Sequence, residues 1–232
     1  MSKNIKKNIK AFKVDLDSRE NQSILKSSTR CSNNQALQIN EATKKIYELI
    51  KNAKHSNDGI VLNHNKIKEA FFSPFKPQLK NAQVFLSHSH ADKNETLKVK
   101  GYLESKTNRR VFIDSLFWDY KDDVLNKLAE YDNISRIEDA FTLILRESLE
   151  YMIKKCPYFV FLQSKNSISF NQDLLKITYS AWIYEELKIA HSISESRPIP
   201  MMESMQVFHD ISPFLESFET IRLSELSRII NS

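Results

Sequence analysis

Glycine is almost missing from this chain, with two in 232 residues. Two glycines cannot build a Gly-rich phosphate loop, which excludes both the P-loop and the GxGxxG fingerprint. A nucleotide bound here has to be held by side chains and helix ends. Cysteine is equally scarce. Cys31 and Cys156 make neither a disulfide framework nor a metal-ligand spacing. Cys156 stands just ahead of an apolar stretch and reads as a small buried hydrophobe. No run of 18 apolar residues occurs, and no apolar segment follows the basic start of the chain. These absences predict a soluble, cytoplasmic protein with no membrane partner.

What is present is ordinary in amount and uneven in distribution. Hydrophobic residues make up 41% and charged residues 27%, the usual balance of a globular chain. The length suits one domain plus an extension. The net charge of +5 hides a split: residues 1–81 hold 16 Lys/Arg against 7 Asp/Glu, and residues 82–232 hold 18 against 22. Any nucleic-acid binding would therefore belong to the first third. That third has no zinc signature, no RNP motif and little aromatic interleaving, so a solvated basic arm is expected and no nucleic-acid partner.

Residues 1–32 are rich in Lys, Asn and Ser, with sparse apolar residues. They predict a mobile or loosely helical basic arm that the fold can lose. Residues 33–80 predict a helical extension. Ile39, Ala42, Ile46, Leu49 and Ile50 recur at helical spacing, a break follows at Ser56–Gly59, and Lys66–Phe72 makes a shorter helix ended by Pro74 and Pro77. Residues 81–232 predict the body and its tail. Strands at Gln83–Leu86, Arg110–Ile113 and Tyr158–Leu162 alternate with helices over 93–105, 136–154 and 180–192. Residues 198–202 and 219–223 add candidate strands, and 165–178 reads as a loop. This alternation argues for an α/β parallel sheet with helices on both faces.

Two stretches stand out chemically. In the first, the apolar strand Val84-Phe85-Leu86 runs into the polar turn Ser87-His88-Ser89-His90 and then Asp92. Asp92 with Glu95 has capping-box spacing, so Asp92 is expected to cap the next helix. A buried strand, a polar turn and a helix N-terminus make a site for a charged ligand at the carboxyl end of a sheet. The plainer reading is an ordinary strand–loop–helix. In the second stretch, Ser180–Ser192, a helical wheel places Trp182, Ile183, Leu187, Ile189 and Ala190 on one face. Glu186 falls inside that apolar face and Glu185 at its polar margin. A carboxylate in a core-facing stripe is costly unless something compensates for it. It either pairs with a buried cation or caps the backbone, or it faces a pocket beside Trp182.

Taken together, VFLSHSHADK (Val84–Lys93), VFIDS (Val111–Ser115) and SAWIYEEL (Ser180–Leu187) resemble the three boxes of bacterial Toll/interleukin-1 receptor (TIR) domains. The resemblance covers roughly residues 82–202. It implies a flavodoxin-like sheet and makes Ser115–Lys121 the BB loop. It places a catalytic glutamate at Glu186, four residues after Trp182. It also implies cleavage of NAD⁺, with ADP-ribose products that serve in some relatives as an antiphage signal. Phe85, Ser87, His88, Ser89, His90, Asp114, Ser115, Trp118, Tyr120 and Trp182 would surround the nucleotide, and the helix N-terminus after Asp92 would take its diphosphate. NAD⁺ enters as substrate, with no further cofactor and no metal. The partners implied are a second copy through the BB loop, and an effector protein or activating phage component. The chain departs from the family at Ile183, where a cysteine is common, and in a BB loop without glycine.

One carboxylate is enough for such a reaction. Nicotinamide leaves a bond that already carries positive charge, so no general acid is needed. Glycosidases share the oxocarbenium-like transition state but need a second carboxylate for their neutral leaving group. Four other readings fit parts of the sequence. His88-x-His90 with Asp92 could hold zinc, but so short a motif matches often by chance. A phosphoacceptor receiver would use Asp114, yet it needs an acidic pair where Ser87–His90 stand. A nucleoside deoxyribosyltransferase-like enzyme, or a TIR module that assembles without turnover, remains as an alternative.

Overall fold

The computed structural model describes residues 9–28, 44–49, 51–52, 54–56, 59–61, 63–72, 81–113, 121–126, 129, 135–170, 175–194 and 209–232. Its elements in chain order begin with β1 (Lys10–Asp15), α1 (Arg19–Ser27), the hairpin β2 (Lys54–Ser56) and β3 (Gly59–Val61), and α2 (His64–Phe72). Then come β4 (Ala82–Ser87), α3 (Lys93–Thr107), β5 (Arg110–Ile113), α4 (Ser135–Lys155), β6 (Tyr158–Gln163), β7 (Ser169–Phe170) and β8 (Lys176–Thr178). Last are α5 (Ala181–Ser194), β9 (His209–Asp210), α6 (Ser212–Ser217), β10 (Glu219–Thr220) and α7 (Leu223–Asn231). Among the described residues no helix is long and apolar enough to cross a membrane.

The chain divides into two compact units. One holds Met1–Cys31, Ala82–Asp114 and Glu150–Ser232, and the other holds Ser32–Asn81 and Ser115–Leu149. The first is an α/β unit around a five-stranded sheet of order β10-β1-β6-β4-β5. Every pairing in that sheet is parallel. The neighbours β5-β4-β6 stand in the 2-1-3 order that opens a flavodoxin-like sheet. The next two positions are taken by β1, from the start of the chain, and β10, from its tail.

Residues 1–32 are therefore not a mobile arm throughout. Lys10–Asp15 is an interior strand, hydrogen-bonded to β6 on one side and to β10 on the other. Phe12, Val14 and Leu16 alternate with Lys13, Asp15 and Asp17, and the apolar set is buried. That is a period of two, the strand signal, short and set in a Lys- and Asn-rich context. Ser18 then caps α1, accepting from the Asn21 N–H at 3.4 Å. The tail locks to this segment. Ile221 N–H donates to Lys13 O at 3.0 Å, and Leu223 N–H donates to Asn21 Oδ1 at 3.1 Å.

Alternation along the strands assigns the two sheet faces. Phe85 lies level with Phe112 and Phe159, and Ser87 with Phe161, on one face. Lys13 is level with Phe161, so it shares that face. It donates to Leu215 O of α6, and Phe159 meets Phe218 edge-on at 5.6 Å. α6 thus covers this face, and α5 packs beside it through Tyr184 and Phe214, 5.5 Å apart. On the other face α3 packs against β5, α1 and α7. α3 ends at Asn108, the sole non-glycine residue with positive φ among those described (49°). Asn tolerates this left-handed C-cap better than other side chains.

The expected loop over 165–178 contains strands β7 and β8, which pair antiparallel with each other and with β9. The tail strand forms at Glu219–Thr220, and the helix α7 follows. The candidate strand over 198–202 lies outside the described residues. In the second unit, residues 44–49 and 121–126 are helical, and the predicted break at Ser56–Gly59 falls where β2 and β3 pair antiparallel, Ser56 with Gly59. Ile46, Ile67, Phe71, Val124, Phe141 and Ile144 are buried, with Phe71 edge-on to Phe141 at 5.2 Å. Lys68 donates to Glu147 at 2.6 Å.

Candidate active site

Parallel strands bring all their carboxyl ends to one edge of the sheet. β4 leads to β5 on one side and is flanked by β6 on the other. The order reverses between β4 and β6, which is where open α/β sheets bind ligands. Ser87 closes β4, Gln163 closes β6, and Asp15 closes β1 beside it.

A buried polar network spans this point. The Asp92 carboxylate accepts from Ser164 Oγ and, at 2.6 Å, from Asn166 Nδ2. Ser164 Oγ also receives the Asn166 N–H at 3.0 Å, and Ser164 N–H donates to Ser167 Oγ at 2.8 Å. Asp17 of the β1 end accepts the Lys165 N–H at 3.1 Å. Three strand ends are therefore tied through the loop after β6. The sequence predicts that Asp92 caps α3. It does stand at the N-cap position, but its side chain makes no capping bond. Two side-chain donors of the neighbouring loop hold it instead, and charge-assisted bonds of this kind outweigh one backbone N–H. A second anion at the α3 N-terminus would meet this carboxylate, so that terminus does not suit the diphosphate expected there.

The Ser87–His90 turn divides by depth. Ser87 is fully buried and His88 nearly so, Ser89 is half-buried, and His90 is exposed. Ser87 Oγ has no hydrogen-bond partner among the described residues. Among those residues no group of three or more His, Cys, Asp or Glu could hold a metal ion. Phe85 sits deeper, stacked on Phe159 at 5.6 Å and tilted against Phe112 at 5.6 Å. It belongs to the aromatic core under the site. Asp114, Ser115, Trp118 and Tyr120 lie outside the described residues.

The helix α5 lies over the Ser87 face. Its inward side carries Ile183, Glu186, Leu187 and Ala190, all buried, with Glu186 at 0% exposure. Both carboxylate oxygens of Glu186 are buried. Trp182 is half-buried one turn earlier. Glu185 points to the margin and lies 3.9 Å from Lys188. The wheel therefore separates the two glutamates in the right sense. Outward, Tyr184 stacks on His209 at 4.6 Å. Burial, and then the Glu185 charge, push its phenol pKa up. Under α6, burial pulls the Lys13 ammonium pKa down, and nearby Lys176 adds to this against Glu216.

Sequence reasoning assigned Gln163–Asn166 no role, and it left β1 out of the site entirely. The signal for Asp17 was the alternation of Phe12, Val14 and Leu16 ahead of it. For Ser164 and Asn166 no local signal exists, because their partner Asp92 is 72 and 74 residues away. No family model, no curated protein and no solved structure matches the chain.

Proposed function

We propose that the α/β unit is a TIR-type NAD⁺ glycohydrolase that breaks the nicotinamide–ribose bond with Glu186. The observation that carries this reading is a glutamate at 0% exposure among Ile183, Leu187 and Ala190. It stands on α5, which packs against β1, β8 and α6, four residues after Trp182. A carboxylate there stabilises positive charge that develops on the ribose as nicotinamide leaves. Its effect grows in a poorly solvated setting, and it acts on the transition state more than on the ground state. Ser87, fully buried on the same sheet face, supplies a hydroxyl for the sugar. Asp92, Ser164 and Asn166 hold the two loops at the strand ends in register and act as positioning residues.

Because Glu186 has no exposed surface, the dinucleotide reaches it only after the covering side chains move. Basal turnover is correspondingly slow. It rises when copies assemble through the Ser115–Lys121 loop, where Trp118 is the aromatic anchor.

The test is to incubate the full chain with NAD⁺ across a range of protein concentrations and identify products by mass spectrometry. Nicotinamide and an ADP-ribose species should appear with the wild type and with Glu185→Gln, and not with Glu186→Gln. NAD⁺ that stays intact at every concentration would sink the enzymatic reading and leave a TIR module without turnover.

A further inference from the structure

The opposite edge of the sheet carries a different chemistry. Parallel strands also gather their amino ends, and this edge is ringed with cations. Lys10 opens β1, Arg110 opens β5 with Arg109 just before it, and Lys154 and Lys155 end α4 just before β6. Lys106 ends α3, and Arg228 lies in the last turn of α7. All are exposed except Lys155, which is half-buried. The α7 end is pinned to this edge by Asn231 Nδ2 donating to Lys106 O at 2.8 Å and by Tyr158 Oη donating to Ile229 O at 3.4 Å. At about 4.8 Å per strand, the starts of β1 and β5 are about 14 Å apart. The acidic residues near this rim are fewer than its cations, and one of them offsets Lys154. Glu150 pairs with Lys154 and Glu104 with Lys100, while Glu219 stands at the start of β10 beyond β1.

Helix ends explain part of the pattern. Cations in a last helical turn complement the negative end of the helix dipole, which accounts for Lys106, Lys154, Lys155 and Arg228. It does not account for Lys10, Arg109 and Arg110, which stand at strand starts. Nor does it account for Tyr151, which is 60% exposed. Tyr151 stands three residues before Lys154 and four before Lys155, so it shares their side of the helix. A row of cations with a flat aromatic face beside it has two complementary features in one ligand class. Phosphates neutralise the cations, and an unpaired base stacks on the ring.

We infer that the amino-terminal rim of the sheet is a binding surface for single-stranded nucleic acid, on the opposite edge from Asp92 and Ser164. The rim is composed of residues distant in sequence, from Lys10 to Arg228.

The test measures fluorescence anisotropy of a labelled oligothymidine, about 20 nucleotides long, with the full chain at about 50 and 200 mM salt. Binding should weaken at least tenfold between the two salts. Arg109→Glu with Arg110→Glu should weaken it at least tenfold while leaving the thermal melt unchanged. Tyr151→Ala should weaken the single strand and not a blunt duplex of the same length. Absence of binding at 50 mM salt would overturn the inference. So would equal affinity in the double charge reversal, or capture of phosphatidylserine vesicles with none of the oligonucleotide.

Discussion

The two edges of one parallel sheet hold their polar groups in different ways. At the carboxyl edge the buried Asp92 is bonded to the buried Ser164 and to the exposed Asn166, and Ser164 to the buried Ser167. Glu186 is enclosed on the helix above. At the amino edge the polar groups are exposed cations, and their ion pairs face solvent, as Lys154 with Glu150 does. Buried polar groups are costly to leave unmet and so hold a single arrangement. Exposed ion pairs contribute little to stability. One edge is fixed in geometry, and the other is defined by charge.

The largest test removes the strand on which both edges depend. Deleting residues 1–28 takes away β1, an interior strand, and leaves β6 and β10 without a partner on that side. Circular dichroism should show no cooperative melt. A folded truncation would mean the sheet closes without β1.

Next comes the site itself. Glu186→Gln should lower NAD⁺ consumption by about 100-fold or more, the scale of losing a main charge stabiliser. Its melting temperature should stay within about 4 °C of wild type, a change of about 1 kcal/mol for a chain of this size. A melt lowered by 10 °C or more would make Glu186 a structural residue.

The two edges can then be compared directly by urea unfolding. Asp92→Ala leaves Ser164 Oγ and Asn166 Nδ2 without their acceptor and should cost about 2–3 kcal/mol. Lys154→Ala at the other edge should cost less than about 0.5 kcal/mol. Equal losses would erase the contrast.

The smallest effect is a pH dependence at the amino edge. Burial holds the Lys155 pKa below its ordinary 10.5. Between the folded value and 10.5 the unfolded chain binds more protons, so this residue makes stability rise with pH there. Lys155→Met should flatten that rise in thermal melts taken from pH 8 to about 10. An unchanged slope would place the dependence elsewhere.

Local pattern carried much of the fold. The apolar runs at Val84–Leu86 and Tyr158–Leu162 are strands because continuous apolar residues suit a sheet covered on both faces. The helical period of Ser180–Ser192 was enough to set Glu186 inward and Glu185 at the margin, as the burial of the two bears out. The strand at Lys10–Asp15 was also written locally, in three alternating apolar residues, but it was outweighed by the Lys and Asn around it.

What tertiary structure alone decided is which distant residues meet. Asp92 has the spacing of a helix cap, and only the loop 72 residues on, brought alongside by β4–β6 pairing, turns its carboxylate away from that role. The place of β1 between β6 and β10 joins the first strand of the chain to its last two sheet strands, and no local preference encodes a partner so far off. Net charge shows the same limit. Summed along the chain, the body after residue 81 is acidic. The parallel sheet sorts that charge by strand end, because each strand starts at one edge and finishes at the other. The cations that open strands or close helices collect at the amino edge, and Asp15, Asp17 and Asp92 collect at the carboxyl edge.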